Sequence, residues 1–170
     1  MDRLPAVDRW DLDPQPPERC SPERFQEMMA RHRALASRDE TYIYGVFVRR
    51  SGVLAGVVDV HILCREDRQH GELGYQIHNR HRRRGYGVEA ARAALEIGFL
   101  QLGLNRIEAC IDPENTASIA LARALGMRGG DLKQAYLFEN DVWKDQVVFV
   151  AEPPDLGLPR PIPAPTSERR

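Results

Sequence analysis

The feature that most constrains this chain is a break in hydrophobic periodicity at residues 78–88, where HNRHRRRGYGV separates two unlike patterns. Before the break, Val58, Val60 and Ile62 alternate with Val57, Asp59 and His61, as on a strand with one apolar and one more polar face. After it, Val88, Ala91, Leu95, Phe99 and Leu102 recur at helical spacing as far as Gly103, a natural stop. A chain that changes from strand to helix period at a glycine pair must turn from sheet to helix there. The expected class is therefore α/β.

Around that break the other elements fall into order. Ser21, Pro22 and Glu23 form a helix start, and Phe25, Met28, His32 and Leu35 follow on one face. Strand-like runs Ile43–Arg49 and Leu54–Leu63 are joined through Ser51-Gly52 as a hairpin, and a third strand covers Glu72–Ile77. Beyond the central helix come a strand at Arg106–Ile111, a helix at Thr116–Leu125, and strands Gln134–Glu139 and Val142–Ala151 linked by Asn140-Asp141. Residues 1–20 are proline-rich and read as irregular, with Trp10 and Leu12 as candidates to dock on the core. Residues 21–151 read as the folded domain. Residues 152–170, with half of the chain's 12 prolines, read as an extended, disordered tail.

Composition narrows the function. A net charge of −1 argues against a polyanion-binding surface, so no nucleic-acid partner is expected. The basic residues are nevertheless focused, with Arg80, Arg82, Arg83 and Arg84 beside His78 and His81. That pattern suits a small anionic ligand. His78 and His81 lack a carboxylate or cysteine partner, so no metal site is expected, and Cys20, Cys64 and Cys110 have no paired spacing. With no secretory signal and no apolar run of about 20 residues, the expectation is a cytoplasmic protein without a membrane partner.

The segment Arg82–Ala90, RRRGYGVEA, carries the chemistry. Glycines at 85 and 87 let backbone approach a ligand, and the first amides of the helix behind them lack intrahelical partners. The helix dipole and the arginines add positive charge, which together make a phosphate cradle. Gly85, Gly87 and Ala90 also satisfy a dinucleotide fingerprint, with Asp112 after the next strand, so a nicotinamide-dependent oxidoreductase is a rival. Against it, seven polar residues separate Ile77 from Gly85, and the upstream strands read as an antiparallel meander.

Arg82–Gly87 resembles the Q/R-x-x-G-x-G/A motif of the GCN5-related N-acetyltransferases (GNAT). GELGYQIHNRHRRRGYGVEA, NRIEACIDPENTASIALARALGM and LFENDVWKDQVVF are similar to the central, following and closing segments of the RimJ/RimL-like, ribosomal-protein-type branch. The resemblance covers about residues 21–151. It implies a mixed sheet, splayed between strands 72–77 and 106–111, flanked by helices, with a shortened N-terminal region. It also implies acetyl-CoA as co-substrate. Tyr75, Gln76 and Ile77 would meet its pantetheine arm, and Arg82, Arg83, Arg84, Gly85, Tyr86, Gly87 and Val88 its pyrophosphate. Asn115 and Ser118 would lie beside the pantetheine, and Asn115 is equally a good helix N-cap.

Acetyl would pass directly to a primary amine, on a protein N-terminus or a small molecule, within a ternary complex. By that resemblance Glu72 is the candidate base and Ser118, or a water, the candidate acid, since Ala122 stands where many relatives carry a tyrosine. A strand-end carboxylate is the plainer reading of Glu72. A catalytically weak acyl-CoA sensor is the non-enzymatic alternative, and a homodimer is an admissible assembly.

Overall fold

A computed structural model describes residues 22–162 of the chain. Trp10 and Leu12, the candidate docking residues, lie outside that range. Six strands form one sheet in the order β1-β2-β3-β4-β6-β5. They are β1 Thr41–Phe47, β2 Leu54–Cys64, β3 His70–Ile77, β4 Arg106–Ile111, β5 Arg128–Glu139 and β6 Val142–Ala151. Three α-helices accompany them: α1 Pro22–Ser37, α2 Tyr86–Leu100 and α3 Thr116–Ala124. The contact between β3 and β4 is parallel and the other four are antiparallel. A doubly wound dinucleotide fold needs a run of parallel βαβ units. This topology removes that rival.

Both turns anticipated from the sequence are present. Gly52 has φ of 69° and donates its N–H to Val48 O at 2.8 Å, which closes the β1–β2 hairpin. Asn140 and Asp141 have φ of 51° and 62°, the left-handed pair that a two-residue hairpin loop between twisted strands demands. On the helical face of the sheet, Val58, Val60, Leu73, Ile107, Ala109 and Phe149 pack with Ala91, Ala94, Leu95 and Phe99 of α2. Ala122 and Leu125, in and just after α3, complete this core. Small residues on α2 bring the helix close to the sheet: a Cβ at Gly98 would lie 2.5 Å from Ile107 Cδ1. In α1, Met28, His32 and Leu35 are half-buried as their spacing implies, but Phe25 is 52% exposed.

Two expectations are corrected. The fifth strand starts at Arg128 rather than Gln134, with bulges at Gly129–Asp131 and between Lys133 and Leu137 that mask its alternation. The segment after Ala151 does not begin as a free tail. Pro153–Leu156 form a 3₁₀ turn, the Pro153 side chain is fully buried, and Leu156 and Leu158 pack against the core. Arg160 then pairs with Glu152 at 2.6 Å and donates to Asn105 Oδ1 at 2.8 Å. Proline fits here because the turn needs no N–H at its first position. The remainder, 163–170, lies outside the described residues.

Truncation after Glu152 should therefore destabilise the domain. Losing one buried and two partly buried apolar side chains is worth about 2–4 kcal/mol, or a melting point lower by roughly 5–10 °C at this size. An unchanged melting point would show that the packing is energetically idle.

Candidate functional site

Strands β3 and β4 pair only over His70–Arg106, Gly71–Ile107 and Glu72–Glu108. Beyond Glu72 each strand remains fastened on its outer side: β3 to β2 as far as Ile77, and β4 to β6 as far as Ile111. The sheet is thus forked between residues 73–77 and 109–111. His78 donates its N–H to Ala55 O at 2.8 Å. Strand alternation then turns the N–H groups of Gln76 and Gly74 toward β2, and those of Ile77, Tyr75 and Leu73 into the fork. An extended, amide-bearing chain could take β4's place there. Of the three residues expected to offer backbone to a ligand, Tyr75 and Ile77 turn their main chain into the fork and Gln76 turns its own toward β2. Gln76 contributes instead a buried side-chain Oε1 with no hydrogen-bond partner among the described residues.

At the open end of the fork the chain makes a short 3₁₀ turn, Asn79–His81, and enters α2 at Gly85. Gly85 has φ of 85° and caps the helix without any side-chain hydrogen bond. A Cβ there would meet nothing within 4 Å, so the space above it is open. Arg83, with φ of 59°, and Arg84 are exposed beside it. Uncapped helix amides, an open approach and two exposed guanidinium groups fit a pyrophosphate. Arg82 is placed differently: its Nε donates to Ile77 O at 3.0 Å, tying the loop back to the end of β3. Gly87 also has another duty. A Cβ there would lie 2.9 Å from Leu121 Cδ1, so its absence lets α2 and α3 pack. Tyr86 and Val88 are half-buried in the same turn. His78 and His81 stand edge to face, with ring centroids 6.2 Å apart.

Helix α3 lies beside the fork. Asn115 is its N-cap, its Oδ1 accepting from Ser118 N at 3.1 Å. The Tyr75 hydroxyl donates to Ser118 O at 3.3 Å and so joins β3 to α3. Asn115 is exposed and Ser118 half-buried.

The fork's closed end carries the titratable groups. Glu72 is half-buried, and burial first, then the neighbouring charges of Glu108 and Asp59, raise its carboxyl above the usual range, with His61 opposing them. Glu108, which the sequence reading did not single out, is only 7% exposed. It accepts from Arg106 Nη2 at 2.7 Å and from the Tyr136 hydroxyl at 3.3 Å. The signal for it was strand parity: Arg106, Glu108 and Cys110 alternate with buried Ile107, Ala109 and Ile111. Burial, then the charges of Glu72 and Glu108, push the Cys110 thiol up to about 12. It stays protonated near neutrality and is no nucleophile.

An apolar hollow of about 310 Å³ between β1 and α2, lined by Tyr44, Val46, Phe47, Tyr86, Ala90 and Ile97, lies apart from this acidic end. Among the described residues no helix is long and apolar enough to cross a membrane, and no group of three potential metal ligands occurs.

Comparison with known proteins agrees with this fold. Residues 1–128 match the family model described as the acetyltransferase (GNAT) domain. The probable N-acetyltransferase YjcK of Bacillus subtilis (strain 168) is 30% identical over 69% of this chain and 66% of its own length. For the uncharacterized N-acetyltransferase YoaA of the same organism the values are 30%, 62% and 59%. The chain thus spans somewhat less than two thirds of these relatives. Among solved structures, a candidate ribosomal-protein-serine acetyltransferase from Vibrio cholerae superposes with a TM-score of 0.67 at 31% identity, covering 78% of this chain and 76% of that one. RimJ of Mycobacterium smegmatis, in complex with CoA-disulfide, shares the fold with a TM-score of 0.71 at 22% identity, over 79% and 64%. This chain belongs to the GNAT family, and its structural neighbours include the ribosomal-protein acetyltransferases that the RimJ/RimL-like resemblance indicated.

The two loop glycines should respond differently to substitution. Gly85→Ala forces a Cβ into left-handed backbone at about 1–2 kcal/mol, or some 2–6 °C in melting point. Gly85→Asn should recover most of that, since asparagine tolerates this conformation. Gly87→Ala meets only the mobile end of Leu121 and should cost less. Equal losses for all three variants would contradict the described backbone.

Proposed function

We propose that this chain is an acetyl-CoA-dependent N-acetyltransferase that passes acetyl directly to a primary amine bound beside Glu72. The observation that supports it most is the succession of three features along β3 and the loop that follows it. They are an uncapped helix start with exposed arginines, an unpaired strand edge, and a half-buried carboxylate with a raised pKa. Acetyl-CoA supplies an activated thioester when bound. Arg83, Arg84 and the first amides of α2 would hold its pyrophosphate, and the Tyr75 and Ile77 main chain its pantetheine arm. Asn115 is available beside that arm, in addition to capping α3.

Glu72 would take the proton from the incoming ammonium. Its raised pKa leaves it a better base than an exposed glutamate. The oxyanion donor would be a main-chain N–H of β3 facing the fork, near Ile77. Ser118, or a water, would return a proton to the leaving thiolate. With a thiol pKa of about 8.5, that step asks little of an acid. Cys110, held protonated, takes no part, which supports transfer without a covalent enzyme intermediate. The acceptor is a protein N-terminus or a small amine. Structural neighbours named for each exist, the ribosomal-protein-serine acetyltransferase candidate and the spermidine N-acetyltransferase SpeG of Vibrio cholerae.

Glu72→Gln should lower kcat/KM by about 10²–10⁴-fold with little change in acetyl-CoA affinity, and raising the pH should partly restore turnover. Ser118→Ala should cost less. In calorimetry, Gly85→Val should abolish acetyl-CoA binding, and Arg84→Ala should weaken it and flatten its salt dependence. Near-normal turnover of Glu72→Gln at neutral pH would overturn the base. Tighter binding of a nicotinamide dinucleotide than of acetyl-CoA would overturn the whole reading.

A further inference from the structure

One register row crosses the polar face of the sheet through the fork's closed end: Thr41 of β1, His61 of β2, Glu72 of β3 and Glu108 of β4 are successive cross-strand partners. Directly opposed residues on one sheet face have Cβ atoms only about 5 Å apart. His61 is fixed in this row from two sides. Its Nε2 lies 2.8 Å from Asp59 Oδ2, and its Nδ1 3.0 Å from the hydroxyl of Thr41, itself 7% exposed. The threonine hydroxyl can donate to a neutral ring or accept from a protonated one. The Asp59 carboxylate reaches this position because its cross-strand partner is Gly74, where a Cβ would collide with it. The geometry points to His61 as a positioning residue whose imidazolium is the counter-charge that keeps Glu72 ionised for its role as base.

The charges facing Glu72 otherwise oppose ionisation. Glu108 on β4 and Asp59 on β2 are acidic, Cys110 on β4 and Tyr136 on β5 are neutral, and Arg106 is spent on Glu108. His61 supplies the opposing sign, and its hydrogen bond to Asp59 raises it above the usual histidine value, against the effect of burial. The same hydrogen bond favours the cationic form of the ring. Its side chain is 51% exposed, so the cation keeps contact with solvent and avoids a full desolvation cost. Asp59 and Thr41 act through His61.

This inference rests on Glu72 as the base, and two readouts separate the two assignments. In His61→Gln the acid limb of kcat/KM should move about one pH unit toward alkaline. Activity should fall roughly tenfold on that limb and converge on the wild-type value at high pH. His61→Arg, cationic at every pH, should leave the limb unshifted or displace it toward acid. Carbon-13 titration of glutamate carboxyls in the full chain, with the Glu72 signal assigned by its loss in Glu72→Gln, should show the same displacement independently of turnover. Superimposable limbs and carboxyl titrations for His61→Gln and wild type would overturn the proposal, as would a pH-independent loss of activity. An alkaline shift in His61→Arg would overturn it too. If Glu72→Gln retains turnover, the base assignment fails, while the carboxyl titration still decides whether His61 and Glu72 are paired.

Discussion

Pairing between β3 and β4 stops at Glu72 and Glu108, and the rest of the molecule is arranged around that interruption. Two neighbouring parallel strands would normally go on exchanging hydrogen bonds, because unmet main-chain groups away from water are costly. Here each strand is committed elsewhere. The β2–β3 ladder runs to Ile77 and the β4–β6 ladder to Ile111, so each side of the fork is held by its own ladder. Helix α2 spans behind, packing Ala91, Ala94, Leu95 and Phe99 against both halves of the sheet. The donors exposed in the gap are a binding resource created by strand topology.

The two carboxylates at the closed end meet burial in opposite ways. Glu108 is compensated by hydrogen bonds from Arg106 and Tyr136, which make it a structural acceptor. Among the described residues nothing donates to the Glu72 carboxylate, so burial acts on its proton affinity instead. Side by side, one group holds strands β4 and β5 together and the other remains free for chemistry. A protein with both groups paired would be better anchored here and would have no base.

Much of this was legible because it depends on local chemistry. Asn140-Asp141 and Ser51-Gly52 announce their turns, Arg106–Ile111 alternates polar and apolar residues, Val142–Ala151 closes on an apolar run, and the Gly85 loop marks the helix entry. What escaped depends on register or distant packing. Asp59 and His61 read as a solvated face because nothing in sequence says that His61 stands opposite Glu72. Glu108 hides among apolar neighbours. The start of β5 is obscured by Gly129 and Gly130, at φ of 92° and 95°, and by a mostly exposed surface that removes alternation. Pro153 looked like tail composition. Its burial is decided by a space that only the folded sheet contains.

The strand order carries a consequence for biosynthesis. β6, the last strand among the described residues, lies between β4 and β5 rather than at the margin. While a ribosome is still extending the chain, the outer edge of β4 has no neighbour, and β5 has emerged with nothing to join. The nascent domain thus passes through a stage with an open β edge and an uncovered apolar face, features that invite intermolecular association. That stage ends only when β6 threads into place and the turn at Pro153 seals its far end. A strand that follows both of its neighbours in the chain therefore joins them, and until it arrives each has an unpaired edge.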